Sequence, residues 1–188
     1  MCNGKCECIS VSTNFRNETP FSWRVLFTNA IWIVLILFVE EAKVSNNLTL
    51  DDYLAFRPII VAFQLPQLLI EYAKDDYLSG VLRDIVAIKS IQMKANFVAM
   101  ILQDLFSFSS EAKNESNFIS VHMKHEKMTE EAAILKAIEY FEEKIQLYLK
   151  NREIKTLNSN STEWYWKSVD QLIRRLFDLY ETIPRLKS

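Results

Sequence analysis

Two glycines, Gly4 and Gly80, serve all 188 residues of this chain. Glycine supplies the positive φ of tight turns and lets a backbone approach a phosphate closely. A β-rich or α/β chain of this size needs many such positions. Their scarcity leaves helices joined by polar loops. It also excludes several enzyme classes at once. The dinucleotide fingerprint, the phosphate-binding P-loop and the G-x-S-x-G nucleophile turn all need glycines that this sequence does not have.

The length suits one domain with a real core and is short for two. Hydrophobic residues make up 49% of the chain, which argues against disorder of the whole. With 22 Lys+Arg against 24 Asp+Glu, a net charge of −2 gives no long-range attraction to nucleic acid or to an anionic membrane. Cys2, Cys6 and Cys8 lack the fourth ligand and the spaced pairs of a zinc site, and read as a tail in a reducing compartment. No basic-then-apolar leader opens the sequence, so a cytoplasmic location is expected. Residues 25–39 form a fifteen-residue apolar run that contains Thr28 and Asn29. A span needs about 20 apolar residues, so the run reads as a buried core helix and not as a membrane span.

Residues 1–19 read as an irregular tail, and 20–188 as one helical domain. A helix is predicted over 21–44, ended by Ser45-Asn46-Asn47. Thr49 then caps a second, with Asp51 and Asp52 at its positive end. Pro58 and Pro66 break the stretch 53–72. Further helices are predicted over 76–87, 90–111 and 118–124, and another beginning at Thr129. In that one, Ile134, Ile138, Phe141, Ile145 and Tyr148 share a face. A polar loop over 158–162 leads to a last helix with Tyr165, Val169, Leu172, Leu176 and Tyr180 on one side. Antiparallel helices with short loops make a bundle.

The segment richest in chemistry is 103–111. Gln103, Ser107 and Glu111 recur every four residues, so all three share one helical stripe roughly 12 Å long. Oxygen donors at the end of an apolar helix suit a hard cation, magnesium or manganese in its place. His122 and His125, crowded by Lys124 and Lys127, read as a solvated face.

This segment resembles the second metal motif of class I terpene synthases of microbial and amoebal type, N-D-x-x-S-x-x-x-D/E. Three other landmarks stand in the same order. Leu50-Asp51-Asp52-Tyr53-Leu54-Ala55-Phe56-Arg57-Pro58 resembles the family's Y-L-x-x-R segment. Asn117-Phe118-Ile119 and Met128-Thr129-Glu130-Glu131-Ala132 sit where the family has similar loops. Glu181-Thr182-Ile183-Pro184-Arg185-Leu186 resembles its closing E-T-x-R-Y segment. The resemblance implies an all-α helical bundle like the C-terminal half of that fold. It implies a carbon–oxygen lyase that ionises geranyl, farnesyl or geranylgeranyl diphosphate with Mg2+ and then forms a terpene by cyclisation or elimination. Gln103, Ser107 and Glu111 would bind the metal, while Arg57 and Arg185 would hold the diphosphate. Trp23, Phe27, Trp32, Phe63 and Phe97 would line the cation pocket, since aromatic faces attract cations.

The departures point the other way. The family's aspartate-rich D-D-x-x-D/E helix is not on this chain, and neither Asp51-Asp52 nor Asp75-Asp76 has its place or its third acid. Gln103 replaces Asn, and its amide sits one methylene further out. Ile60, three residues after Arg57, replaces the polar residue that orients the arginine. Ser110 replaces a basic residue and Leu186 a tyrosine. The alternative expectation is a non-catalytic, truncated relic or a partner-binding helical module. Such a half bundle would expose an apolar face open to a homodimer or another association.

Overall fold

The computed structural model describes residues 19–44, 48–108, 116–153 and 160–182. Among them every regular element is a helix: α1 Phe21–Val44, α2 Leu50–Ile60, α3 Gln64–Lys74, α4 Gly80–Asp84, α5 Val86–Ser107, α6 Phe118–His125, α7 Glu130–Arg152 and α8 Asn160–Thr182. The all-α expectation stands, and the predicted 21–44 helix is α1.

Local chemistry sets most boundaries. Thr49 caps α2 as expected: its hydroxyl accepts the Asp52 N–H at 3.1 Å, and the Asp52 carboxylate reaches back to the Thr49 N–H. Pro58 lies inside α2, and the helix ends two residues later, at Ile60. Ala62 then takes a left-handed φ of 59°, which turns the chain into α3. Pro66 does not kink α3, because it falls in the first turn, where a missing N–H deprives no carbonyl. The helix predicted over 76–87 shortens to α4. The Glu71 carboxylate reaches forward from α3 to accept the Leu78 N–H at 3.1 Å and pairs with Arg83, which holds the intervening residues in a loop.

α5 is the axis of the fold. Ile88, Ile91, Ala95, Val98, Ala99 and Leu102 pack into one cluster with Tyr165, Trp166 and Val169 of α8 and Tyr148 of α7. Met100 and Ile101 turn to a second cluster, with Tyr53, Phe118 and Ile119 from α2 and α6 and with Ala133 and Ala137 from α7. Helices on several sides let α5 be apolar around most of its circumference.

The expectation for α1 needs correction. Its buried side chains are Trp23 and Ala30, packed with Leu68 of α3, and Glu41 near its end. Val25, Trp32, Ile33, Leu35, Ile36, Phe38 and Val39 are exposed, with Trp32 at 60%. Between Ala30 and Val39 the helix is apolar on every side, and no described element covers its outer side. Residues Phe21–Lys43 are long and apolar enough to cross a membrane by length and composition alone.

Candidate functional site

Two helical turns bring the sequence-predicted residues into view. On α2, Tyr53 and Arg57 are one turn apart and both buried, at 0% and 7% exposure. On α5, Gln103 is half-buried, and Asp104 and Ser107 are buried. Glu111 and Arg185 lie outside the described residues, so the third metal donor and the second arginine have no described position.

The residue that joins these turns is Asp104, 1% exposed. Its Oδ1 accepts from Arg57 Nη2 at 3.1 Å. Its Oδ2 accepts the Phe118 N–H at 2.7 Å and the Tyr53 hydroxyl. Its backbone carbonyl accepts from Asn117 Nδ2 at 3.0 Å, and Asn117 Oδ1 in turn caps α6 through the Ile119 N–H. One carboxylate therefore fastens α2, α5 and the start of α6.

The electrostatics follow from burial. Burial pushes the Asp104 carboxyl upward, and the Arg57 guanidinium, the Tyr53 hydroxyl and the Phe118 N–H draw part of that back. Burial alone would lower Arg57, but Asp104, then Tyr53 and Glu41, outweigh it and keep the guanidinium charged. Burial and the Asp104 charge push the Tyr53 phenol well up. Glu41, 6% exposed on α1, is a second carboxylate facing this group; burial raises it, while Arg57 and a hydrogen bond with Ser116 oppose the rise. Arg57 carries five donors, yet its buried Nε–H finds no acceptor among the described residues. A buried donor without a partner is an uncommon feature that an external anion would satisfy.

Gln103 and Ser107 present an amide and a hydroxyl one turn apart, hard oxygen donors of the type magnesium takes. Asp104 is committed to Arg57 and Tyr53 and does not join them. Among the described residues no group of three His, Cys, Asp or Glu could hold a metal. His122 is not on a solvated face. It is 2% exposed, its ring centroid 4.4 Å from that of Phe118 and its Nδ1 3.1 Å from Glu126 Oε1. His125 is exposed.

The five expected pocket aromatics do not meet in one place. Trp23 stacks on Phe27 at 5.1 Å, Phe63 belongs to the α5–α8 cluster, Phe97 is half-buried, and Trp32 faces outward. Lower on α5, a cavity of about 350 Å³ is lined instead by Gln67, Gln92, Asn96 and Tyr165, by the apolar Leu26, Leu68 and Met93, and by the charged Arg83, Asp84 and Lys89. Its neutral polar lining is linked: Gln92 donates to the Tyr165 hydroxyl at 2.8 Å, that hydroxyl donates to Gln67 at 3.3 Å, and Gln67 donates to Asn96 at 2.9 Å.

Sequence reasoning passed over Asp104, Tyr53, Glu41 and this amide chain. The available signal was the pairing of Tyr53 and Arg57 at one-turn spacing, together with a lone aspartate at the end of a long apolar run.

The family model described as terpene synthase family 2, C-terminal metal binding, matches residues 9–146. No curated protein matches the chain. A crystal structure of a-eudesmol synthase superposes with a TM-score of 0.81 at 15% identity, over 92% of this chain and 60% of that one. A variant of the ancestral reconstruction SVS_A2 gives 0.83 at 18%, over 93% and 53%. A cucumene synthase variant gives 0.78 at 15%, over 89% and 59%. At these identities the likeness is one of fold, and the chain spans between 53% and 60% of these three solved chains.

Proposed function

The chain belongs to the terpene synthase family 2, C-terminal metal-binding group, and from that premise we propose that its site binds the diphosphate of an isoprenyl substrate and assists its departure. The observation that carries this reading is Arg57, a buried guanidinium bonded to Asp104, whose Nε–H has no acceptor among the described residues. A diphosphate oxygen supplies the missing acceptor, and the fixed charge stabilises the anion that develops as the carbon–oxygen bond breaks. Gln103, Ser107 and Glu111 would hold Mg2+, or Mn2+ in its place, which would neutralise the leaving diphosphate. Arg185 would add a second positive charge. The product class is a terpene formed by cyclisation or elimination from a geranyl, farnesyl or geranylgeranyl diphosphate. A cytoplasmic location without a membrane span accompanies this reading.

The test is incubation of folded, helical protein with each of the three diphosphates, with and without magnesium. Pyrophosphate release and extracted terpene are measured together. Magnesium-dependent release with a terpene product supports the reading. Folded protein that releases none removes the catalytic claim.

A second reading is favoured by a different observation. The outer face of α1 is apolar and exposed from Val25 to Val39. A patch of that kind marks an association surface. A non-catalytic module that docks through this face, to a second copy or to another chain, would keep the fold without the chemistry. Concentration-dependent association of protein that releases no pyrophosphate would support it.

A further inference from the structure

Arg57 donates to Asp104, which sits on the helix of the candidate metal donors, and also bonds the Tyr53 hydroxyl, which itself donates to Asp104. Gln103 precedes it directly and Ser107 follows within one turn. Of the carboxylates near Arg57, only Asp104 is hydrogen-bonded to it among the described residues. Pro58 and Ile60 are buried and have no side-chain acceptor. Glu41 acts on the guanidinium through space and accepts a hydrogen bond from Ser116. Asp104 is itself held from two further elements, by Tyr53 on α2 and by the Phe118 N–H and Asn117 at the start of α6. A carboxylate fixed at both oxygens transmits position in both directions. Arg57 cannot shift toward an anion without loading Asp104, and the last two turns of α5 cannot shift toward a cation without loading Arg57.

We propose that Asp104 is the positioning residue of the diphosphate site: it aims Arg57 and ties that guanidinium to the turns of α5 that carry Gln103 and Ser107, so that anion binding and cation binding are linked. This rests on the diphosphate reading above. Linked binding is reciprocal, so either ligand strengthens the other by the same factor.

The experiment is titration calorimetry of the full chain with inorganic pyrophosphate, with and without magnesium chloride. It is run on the unmodified protein, on Asp104→Asn and on Tyr53→Phe, with the melting transition recorded for each. The unmodified protein is expected to bind pyrophosphate about tenfold more tightly with magnesium, within the usual range of such coupling. Asp104→Asn keeps the side chain's shape and an acceptor for the Phe118 N–H but loses the charge that fixes Arg57. Its magnesium enhancement is expected to fall close to one, with a smaller loss of magnesium-free affinity. A merely structural aspartate would lower the melting point and leave the enhancement intact. Folded Asp104→Asn with the full enhancement overturns the proposal and leaves the diphosphate reading standing. Folded unmodified protein that binds no pyrophosphate overturns both. If Asp104→Asn does not fold, Tyr53→Phe decides. Losing one hydrogen bond to the carboxylate should reduce the enhancement about threefold, and an unchanged value overturns the proposal.

Discussion

Two polar networks along α5 are built differently, one around a carboxylate shared by three elements and one along a chain of neutral groups. At the C-terminal end the groups are charged: Asp104 and Arg57 are almost completely buried, with Glu41 beside them. Nearer the N-terminal end four neutral groups, Gln67, Asn96, Tyr165 and Gln92, hand hydrogen bonds along a chain beside a cavity of about 350 Å³, whose wall also carries Arg83, Asp84 and Lys89, with Arg83 paired to the buried Glu71. A neutral amide chain can be satisfied within the protein, and this one links its members around that cavity. A buried charge has a large desolvation penalty and draws in partners from every neighbouring helix. It also leaves donor capacity without a partner among the described residues, as at the Nε–H of Arg57. The difference marks the Arg57 end as a place where an anionic ligand would find a donor.

Removing Asp104 should break the comparison most severely. Asp104→Ala strands a buried guanidinium and the Phe118 N–H together, and loss of one partner of a buried pair is worth about 3–5 kcal/mol. Urea unfolding should show that drop in stability. A drop below 1 kcal/mol would mean that water reaches Arg57 freely and that the charged end is not a closed node. The neutral end should prove milder. Gln67→Leu leaves the Asn96 acceptor and the Tyr165 hydroxyl each short of a partner, at about 1–3 kcal/mol. Equal losses at the two ends would erase the distinction drawn between them.

A pH profile sharpens the same contrast from beside the charged end. His122 packs on Phe118, the residue whose N–H holds Asp104. Burial lowers its imidazole below the ordinary 6.5, opposed by Glu126, while Lys136 adds to the lowering. Because the folded value lies below the unfolded one, the unfolded chain binds the proton first. Stability is therefore full above about 6.5 and falls as the pH drops from there through the lowered value. Melting points recorded from pH 7.5 to 5 should decline in that window, and the decline should vanish in His122→Gln. A decline of equal size in that variant would assign it to other groups.

How much of this was legible in the sequence depends on range. The 21–44 helix and the Thr49 and Thr129 caps follow from residues within one turn of each other, and all three are where local chemistry places them. The Asp104–Arg57 pair joins residues 47 apart, and helical spacing says only that Asp104 faces away from Gln103. The loop before α4 was hidden for the same reason, since the group that holds it, Glu71, lies back in α3. Of the candidate site, Arg57, Gln103 and Ser107 were readable from motif spacing, whereas their link through Asp104 was not. The exposure of α1 could not be read at all, because an apolar run reports what a helix needs to bury and not whether anything is there to bury it.

The smallest expected effect concerns that exposed face. α1 contributes to both ends of α5, Glu41 at the charged one and Leu26 at the neutral one. Trp32 touches neither and is 60% exposed, whereas Trp23 on the same helix is 1% exposed and stacked on Phe27 and Tyr72. In a chain that works alone, Trp32→Ser should change stability by no more than about 0.5 kcal/mol, as at other exposed sites without special contacts. In a chain whose α1 is covered by a second copy, the same substitution should lower the melting point more as protein concentration rises, because association stabilises by mass action. Melting curves at two concentrations separate the cases. A concentration-independent loss above 1 kcal/mol would fit neither and would mean that Trp32 is buried within the folded chain itself. α1 would then be a true core helix, and the contrast between a satisfied interior and an unsatisfied outer face would fall.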